Sequence, residues 1–311
     1  MKSVLSSTPT PLRASDRVMV ALWRHGLVPF FGLRGMSAPP GRVVERRYGD
    51  RRDEVMDLYT PSSSAPARSP VVFIHGGGWI SGSKGRFYHR PLLGLAAAGH
   101  QVFSLNYPLA PESPFPGPLR SLLKALAALR REHGAARVHL AGDSAGGNLA
   151  TMLGLMLESP ELLRAVNGTP SRDGSLPQLL SVASIYGVMD RTSLVEDGFP
   201  SARLFLESYA GESALPERTP PLPITPMDIP SLVPRAPTFI GAGTQDKLGR
   251  SSRIYADHLG AHGAAVTYKT YPGADHGFYC FAEAQGDALR ADVIQFFSDV
   301  EAAHTMSGDE R

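Results

Sequence analysis

Gly142-Asp143-Ser144-Ala145-Gly146-Gly147-Asn148 follows Arg137-Val138-His139-Leu140-Ala141 and precedes Leu149-Ala150-Thr151-Met152-Leu153. The upstream flank reads as a short buried strand and the downstream flank as a helix. The Gly-x-Ser-x-Gly pentapeptide therefore sits on a strand–turn–helix junction. A serine on so sharp a turn projects its hydroxyl beyond the end of a sheet. Gly142 and Gly146 lack a Cβ, so neighbouring backbone can come close and strained dihedrals are tolerated. The bland reading is a Gly/Ser loop joining two elements, and the pentapeptide alone does not dismiss it. The rest of the chain has to decide.

Outward from that junction, Val71-Val72-Phe73-Ile74 is a continuous apolar run, the pattern of a strand covered on both faces. Further runs stand at Val102–Leu105, Val138–Ala141, Leu179–Ile185, Thr238–Ala242 and Val266–Tyr271. Helical stretches separate them at Arg90–Ala98, Leu119–His133, Ala145–Glu158 and Arg250–His262, and Ala282–Ala303 closes the chain. Such alternation predicts an α/β fold with a mostly parallel central sheet and helices on both faces. Before it, Arg42–Tyr48 and Glu54–Tyr59 alternate apolar and polar side chains, as an antiparallel hairpin would. Pro160–Pro177 reads as a polar Gly/Pro loop. Val188–Pro237 carries eight prolines from Pro216 onward and is too long for a connector. It predicts short helices followed by an extended stretch that helps cover the functional site. Ala14–Phe31 reads as one or two short amphipathic helices on the main body, and the first dozen residues suit disorder.

The 311 residues are 42% hydrophobic, enough for one large α/β domain or two smaller ones. Against 31 Lys+Arg stand 29 Asp+Glu, so the formal charge is only +2 and gives no case for nucleic acid or an anionic membrane. The basic runs Arg42–Arg52 and Arg130-Arg131 are short and read as solvated faces. Cys280 is the only cysteine, which excludes an intrachain disulfide and suits a reducing compartment. Among Phe278, Tyr279 and Phe281 it reads as a small buried hydrophobe rather than a nucleophile. Val18–Trp23 is too short for a signal sequence, and no run approaches the ~20 apolar residues that span a bilayer. The expectation is a cytoplasmic protein without stable membrane insertion. Homo-oligomerisation through an edge strand is left open.

His75-Gly76-Gly77-Gly78-Trp79 follows the Val71–Ile74 strand. Consecutive glycines there let backbone N–H groups converge on one point, as a developing oxyanion requires. With a nucleophile elbow two strands later, the expected donors are the N–H groups of Gly77, Gly78 and Ala145. Ser144 needs a base, because an unaided hydroxyl is a poor nucleophile. The chain order serine, acid, histidine leaves His258, His262, His276 or His304. His258 and His262 lie four apart on a helix without a third metal ligand and read as surface. His304 sits in a polar tail. His276 lies in Tyr271-Pro272-Gly273-Ala274-Asp275-His276-Gly277-Phe278, a loop at a strand's carboxyl end, where open α/β sheets gather their catalytic groups. The third member is Asp246, in the loop after Thr238–Ala242, ahead of the rivals Asp275 and Asp190. Asp143 belongs to the elbow itself and reads as an anchor for neighbouring loops.

Taken together, these residues resemble the hormone-sensitive-lipase-like family of α/β-hydrolases. The resemblance rests on His75–Trp79 with Gly82-Ser83-Lys84, on Asn106-Tyr107-Pro108-Leu109-Ala110-Pro111-Glu112 with Pro114-Phe115-Pro116, on Gly142–Asn148, and on the Asp246 and His276 loops. It covers roughly residues 42–300 and implies a single α/β-hydrolase domain over 1–311. A helical cap is expected from about 1–40 and 188–223. The resemblance implies a serine carboxylesterase acting on small to medium acyl esters through Ser144, His276 and Asp246, with an acyl-enzyme intermediate and no metal or cofactor. The partner is then a small-molecule ester. Trp79, Phe199, Phe205, Tyr209, Leu248 and Phe278 are candidates for the substrate pocket, with core packing an equal alternative for each. Three positions depart from the family pattern. Pro108 stands where Arg is usual, Ser121 lies near a usual acid, and Lys247-Leu248-Gly249-Arg250 replaces Pro-Leu-x-Asp. An amide or lactone hydrolase on the same machinery, or a non-catalytic ligand-binding protein on the scaffold, are the competing readings.

Overall fold

The computed structural model describes residues 13–27, 43–61, 67–168, 174–281 and 283–308. Eight strands form one sheet: β1 (Val43–Arg47), β2 (Val55–Tyr59), β3 (Arg68–Ile74), β4 (His100–Leu105), β5 (Arg137–Asp143), β6 (Gln178–Ile185), β7 (Thr238–Gly243) and β8 (Val266–Tyr271). Their order is β1-β2-β4-β3-β5-β6-β7-β8. The β1–β2 and β2–β4 pairs are antiparallel and every later pair is parallel. The alternating hairpin and the continuous apolar runs thus form the strands their patterns predict.

The helices among the described residues are α1 (Ala14–Leu22), α2 (His89–Ala97), α3 (Gly117–His133), α4 (Ala145–Glu158), α5 (Pro160–Asn167), α6 (Arg191–Glu196), α7 (Ala202–Ala210), α8 (Gly249–Ala261) and α9 (Ala284–Gly308). In β3 the side chains alternate between two apolar layers. Val72 and Ile74 join the layer of α3 and α4, whereas Val71 and Phe73 join that of α2 and α9. All four are fully buried, each contributing roughly 1.5–3 kcal/mol of transfer free energy. Two-sided burial is why Val71–Ile74 is apolar throughout, whereas the edge strand β8 exposes Thr267, Lys269 and Thr270. α4 is buried from Ala145 to Met156, as expected of a helix that is apolar on every side.

One expectation is corrected. Pro160–Pro177 is not a loop throughout, because Pro160–Asn167 forms α5. Ser159 caps it by accepting from the Leu162 N–H, Pro160 sits in its first turn, and Gly168 closes it at φ 77°. Leu162 and Val166, four residues apart, bury one face. Ser-Pro at the start and Gly at the end are start and stop signals, and they outweigh the breaker reading of the same residues. The middle of that segment, 169–173, lies outside the described residues, as do 1–12 and 28–40 from the expected cap and the disorder expected over the first dozen. α1 buries Val20 and leaves Val18, Met19 and Leu22 exposed. Among the described residues no helix is long and apolar enough to cross a membrane.

The chain runs from β3 outward to β4, then returns to the other side of β3 as β5. Strand connections leave in opposite directions on either side of that β3–β5 seam, which opens a crevice beyond their carboxyl ends. The His75–Gly78 loop and Ser144 both emerge there.

Candidate active site

Ser144 takes φ 54° and ψ −122° between β5 and α4. A non-glycine residue at positive φ costs about 1–3 kcal/mol, so its neighbours must hold it. Its N–H donates to the Ile185 carbonyl at 2.9 Å, and its own carbonyl accepts from Asn148 at 3.2 Å and Val188 at 3.3 Å. Gly146 has no room for a side chain, since a Cβ there would collide with the Ile74 carbonyl oxygen. The motif glycine is required by β3 passing alongside.

Around that elbow the structure brings together residues far apart in sequence. His276 Nε2 lies 3.0 Å from Ser144 Oγ, and His276 Nδ1 lies 2.8 Å from Asp246 Oδ2. Asp246 Oδ1 accepts from the Leu248 N–H at 2.8 Å, so both carboxylate oxygens are engaged. Burial opposes the His276 cation, but the charge and hydrogen bond of Asp246, helped by Asp143 and Asp275, raise its pKa above the usual imidazole range. Asp190 instead caps α6, accepting from the Ser193 N–H at 2.9 Å. Asp275 is exposed and accepts from the His276 N–H at 2.7 Å. Of the other candidate bases, His258 and His262 pack ring against ring at 4.2 Å on α8.

The glycine loop is anchored from beneath. Gly76 N–H donates to Asp143 Oδ1 at 2.8 Å, and Tyr88 Oη bridges the two residues, at 3.0 Å from that N–H and 3.3 Å from Asp143 Oδ2. Burial pushes the Asp143 carboxyl up to about 6. Gly77 and Gly78 follow at φ 112° and 60°. Among the described residues no hydrogen bond uses the N–H of Gly77, Gly78 or Ala145. Those three donors remain uncommitted, Ala145 following Ser144 directly and the loop lying close enough that a Cβ on Gly76 would come within 3.1 Å of Ser144 Cβ.

The candidate pocket residues occupy different depths. Phe199 is half-buried with its ring edge-on to His276 at 5.0 Å. A Cβ on Gly78 would meet the Phe205 ring at 2.8 Å, so that ring lies against the glycine loop. Trp79 and Tyr209 are fully buried and stacked at 4.6 Å, behind that surface. Leu248 lies in the core layer of α3 and α4, and Phe278 in the opposite layer against Tyr186 and Tyr271.

Several contributors escaped the sequence reading. Tyr186, directly after β6, takes φ 38° and sets its ring 4.8 Å from His276. Arg24, just after α1, donates to the carbonyls of Ile80 and Ala110 at 2.6 Å each and to both Glu112 oxygens. Trp23 donates to Ser201 Oγ at 3.2 Å and meets Phe205 edge-on at 5.1 Å. Asn148, at the end of the elbow motif, donates to the carbonyls of Val188 and Ile224. No periodicity marks such single side chains. Two of the three departures from the family pattern are also supported. Ser121 donates to Glu54 at 3.0 Å, so an acid arrives from the start of the hairpin's second strand. Lys247 reaches the Gly198 carbonyl at 2.9 Å, and Arg250 pairs with Glu196 and Asp197.

Comparisons with known proteins identify the family and the fold. A family model described as alpha/beta hydrolase fold matches residues 71–280. The carboxylesterase NlhH of Mycobacterium tuberculosis is 30% identical over 94% of this chain and 93% of its own. Among solved structures, esterase B from Lactobacillus rhamnosis superposes with a TM-score of 0.80 at 20% identity, covering 96% of this chain and 100% of that one. A bacterial heroin esterase gives 0.72 at 23% identity, covering 93% and 94%. At such identities the two structural likenesses speak for the fold. With the family match over well more than half its length and a relative aligned along nearly all of it, the chain belongs to the α/β-hydrolase fold family and is a hydrolase.

Proposed function

We propose that the protein is a serine carboxylesterase acting on small to medium acyl esters, with Ser144 as nucleophile, His276 as general base and Asp246 as its orienting acid. The observation that carries this reading is the unbroken chain from Ser144 Oγ through His276 to Asp246, at 3.0 and 2.8 Å. The 30% identical relative named a carboxylesterase supports esters ahead of amides or lactones.

In this mechanism Ser144 Oγ attacks the ester carbonyl carbon while His276 Nε2 takes its proton. Asp246 holds the imidazole by Nδ1 and stabilises the imidazolium. The carbonyl oxygen, now an anion, is met by the free N–H groups of Gly77, Gly78 and Ala145. Loss of one such donor costs about 2.7–4 kcal/mol of transition-state stabilisation. The tetrahedral intermediate collapses, His276 protonates the departing alkoxide, and an acyl group stays on Ser144. Water, activated by the same histidine, then releases the acid. No step calls on a metal or cofactor.

The chain is read as a single domain whose cap is built from the N-terminal segment and residues 188–223. The Trp23–Ser201 hydrogen bond joins these two segments, and Phe199 and Phe205 extend from the second one to His276 and Gly78. These two rings form the pocket wall nearest the reacting carbonyl, with Trp79 and Tyr209 behind them. Leu248 and Phe278 act from the core by fixing the acid and histidine loops.

Hydrolysis of p-nitrophenyl esters of graded acyl length tests the reading. Wild type should turn over acetate to hexanoate well above buffer, and Ser144→Ala should lose about 10⁴-fold or more in kcat. A wild type no faster than buffer, or a Ser144→Ala variant keeping most of the rate, would remove the assignment.

A further inference from the structure

At the opposite end of the sheet, His100 opens β4 and His139 lies in β5, both fully buried, with Glu301 of α9 over them. One donor atom from each of the three lies within 4.8 Å of the other two. His139 is five residues before Ser144, about 17 Å along an extended strand, so this cluster is separate from the catalytic groups.

The hydrogen bonds around the cluster decide which ring nitrogens are free. His100 Nδ1 lies 2.8 Å from the Ser69 carbonyl, which can only accept, so Nδ1 carries the proton and Nε2 holds a bare lone pair. That Nε2 is buried without a hydrogen-bond partner. A buried polar atom left unpaired calls for an explanation, and the neighbouring ion pair does not supply one. His139 Nδ1 lies 2.8 Å from Ser181 Oγ and its Nε2 lies 3.1 Å from Glu301 Oε1. Glu301 Oε1 also accepts from the Ser69 N–H at 2.8 Å. Each imidazole therefore has its far nitrogen on a backbone carbonyl or hydroxyl, the outer support that metal-ligating histidines require.

We propose that His100 Nε2, His139 Nε2 and Glu301 Oε1 bind one divalent cation of the zinc class, with water in the fourth position. Two imidazoles and a carboxylate suit zinc, whose bonds of about 2.0–2.2 Å set tetrahedral donors about 3.4 Å apart. The His139–Glu301 pair already stands near that spacing, and the remaining donor pairs, no more than 4.8 Å apart, draw in on binding. On binding, His139 carries its proton on Nδ1 and donates it to Ser181 Oγ, so no net proton is released. The cation then fastens β4, β5 and α9 together.

Zinc and cobalt(II) titrations of the chelator-treated full-length chain test this. The expected result is one equivalent bound, a rise in melting temperature of several degrees, and the visible absorption of four-coordinate cobalt. His100→Gln and Glu301→Gln should weaken zinc by more than about a hundredfold and Ser181→Ala by about tenfold, while His258→Ala and His276→Ala should leave it unchanged. Absence of a stoichiometric site in the wild type, or its loss on His258→Ala or His276→Ala, overturns the proposal. The wild-type cobalt spectrum needs no variant and decides even where His100→Gln fails to fold.

Discussion

Around Ser144 the chain is held by its own backbone. The elbow leans on Ile185, Val188 and Asn148 through main-chain bonds, and the space beside Gly146 is closed by β3. The segments proposed as a cap are held by side chains instead: Arg24 on two carbonyls and Glu112, Trp23 on Ser201, and Arg250 on Glu196 and Asp197. Backbone packing fixes positions closely and tolerates little change. Side-chain clamps can be exchanged singly, each at a modest cost. Under the proposed function, bond-breaking would fall to the backbone-held rim and selection of the ester to the exchangeable cover.

The hardest test of that contrast is Asp246→Asn. It keeps the shape of the rim but favours the wrong imidazole tautomer, so kcat should fall about 10⁴-fold with little change in KM, read by steady-state kinetics. A loss under tenfold would mean the rim does not depend on this acid. Next comes pH. A raised His276 pKa keeps the base protonated further up the scale. Activity should therefore be full on the alkaline side and fall about tenfold per unit below that pKa, with the midpoint of the kcat/KM profile above 6.5. Arg24→Ala addresses the cap. Releasing Glu112 and two carbonyls should raise KM several-fold and alter the ranking of acyl lengths, with kcat within about threefold, because no reacting atom is touched. The smallest effect belongs to Asp275→Asn, which keeps an oxygen for the His276 N–H and should change kcat/KM less than twofold in the same assay.

The rim and the cap also differ in how far the sequence discloses them. Two-sided burial writes itself as runs such as Val71–Ile74, and a close backbone approach demands glycine at 146, so sheet, elbow and loop order are legible. The histidine and acid follow from their places at successive strand ends. Clamps leave no such mark: Arg24 looks like any surface arginine until Ile80 and Ala110 fold beside it. Tyr186 merely follows an apolar strand, and only its φ of 38° and its contact with His276 reveal more. In α5, helix caps and loop breakers are the same residues, and composition alone chose the wrong one.

The dihedrals of Ser144 carry one more consequence. A residue forced to φ 54° draws on the stability of everything packed around it, and glycine would sit there with less strain. The folded state would thus gain by losing its proposed nucleophile. Thermal robustness and turnover pull in opposite directions at this residue, so a screen for hardier variants that ignores activity would be drawn towards inert ones.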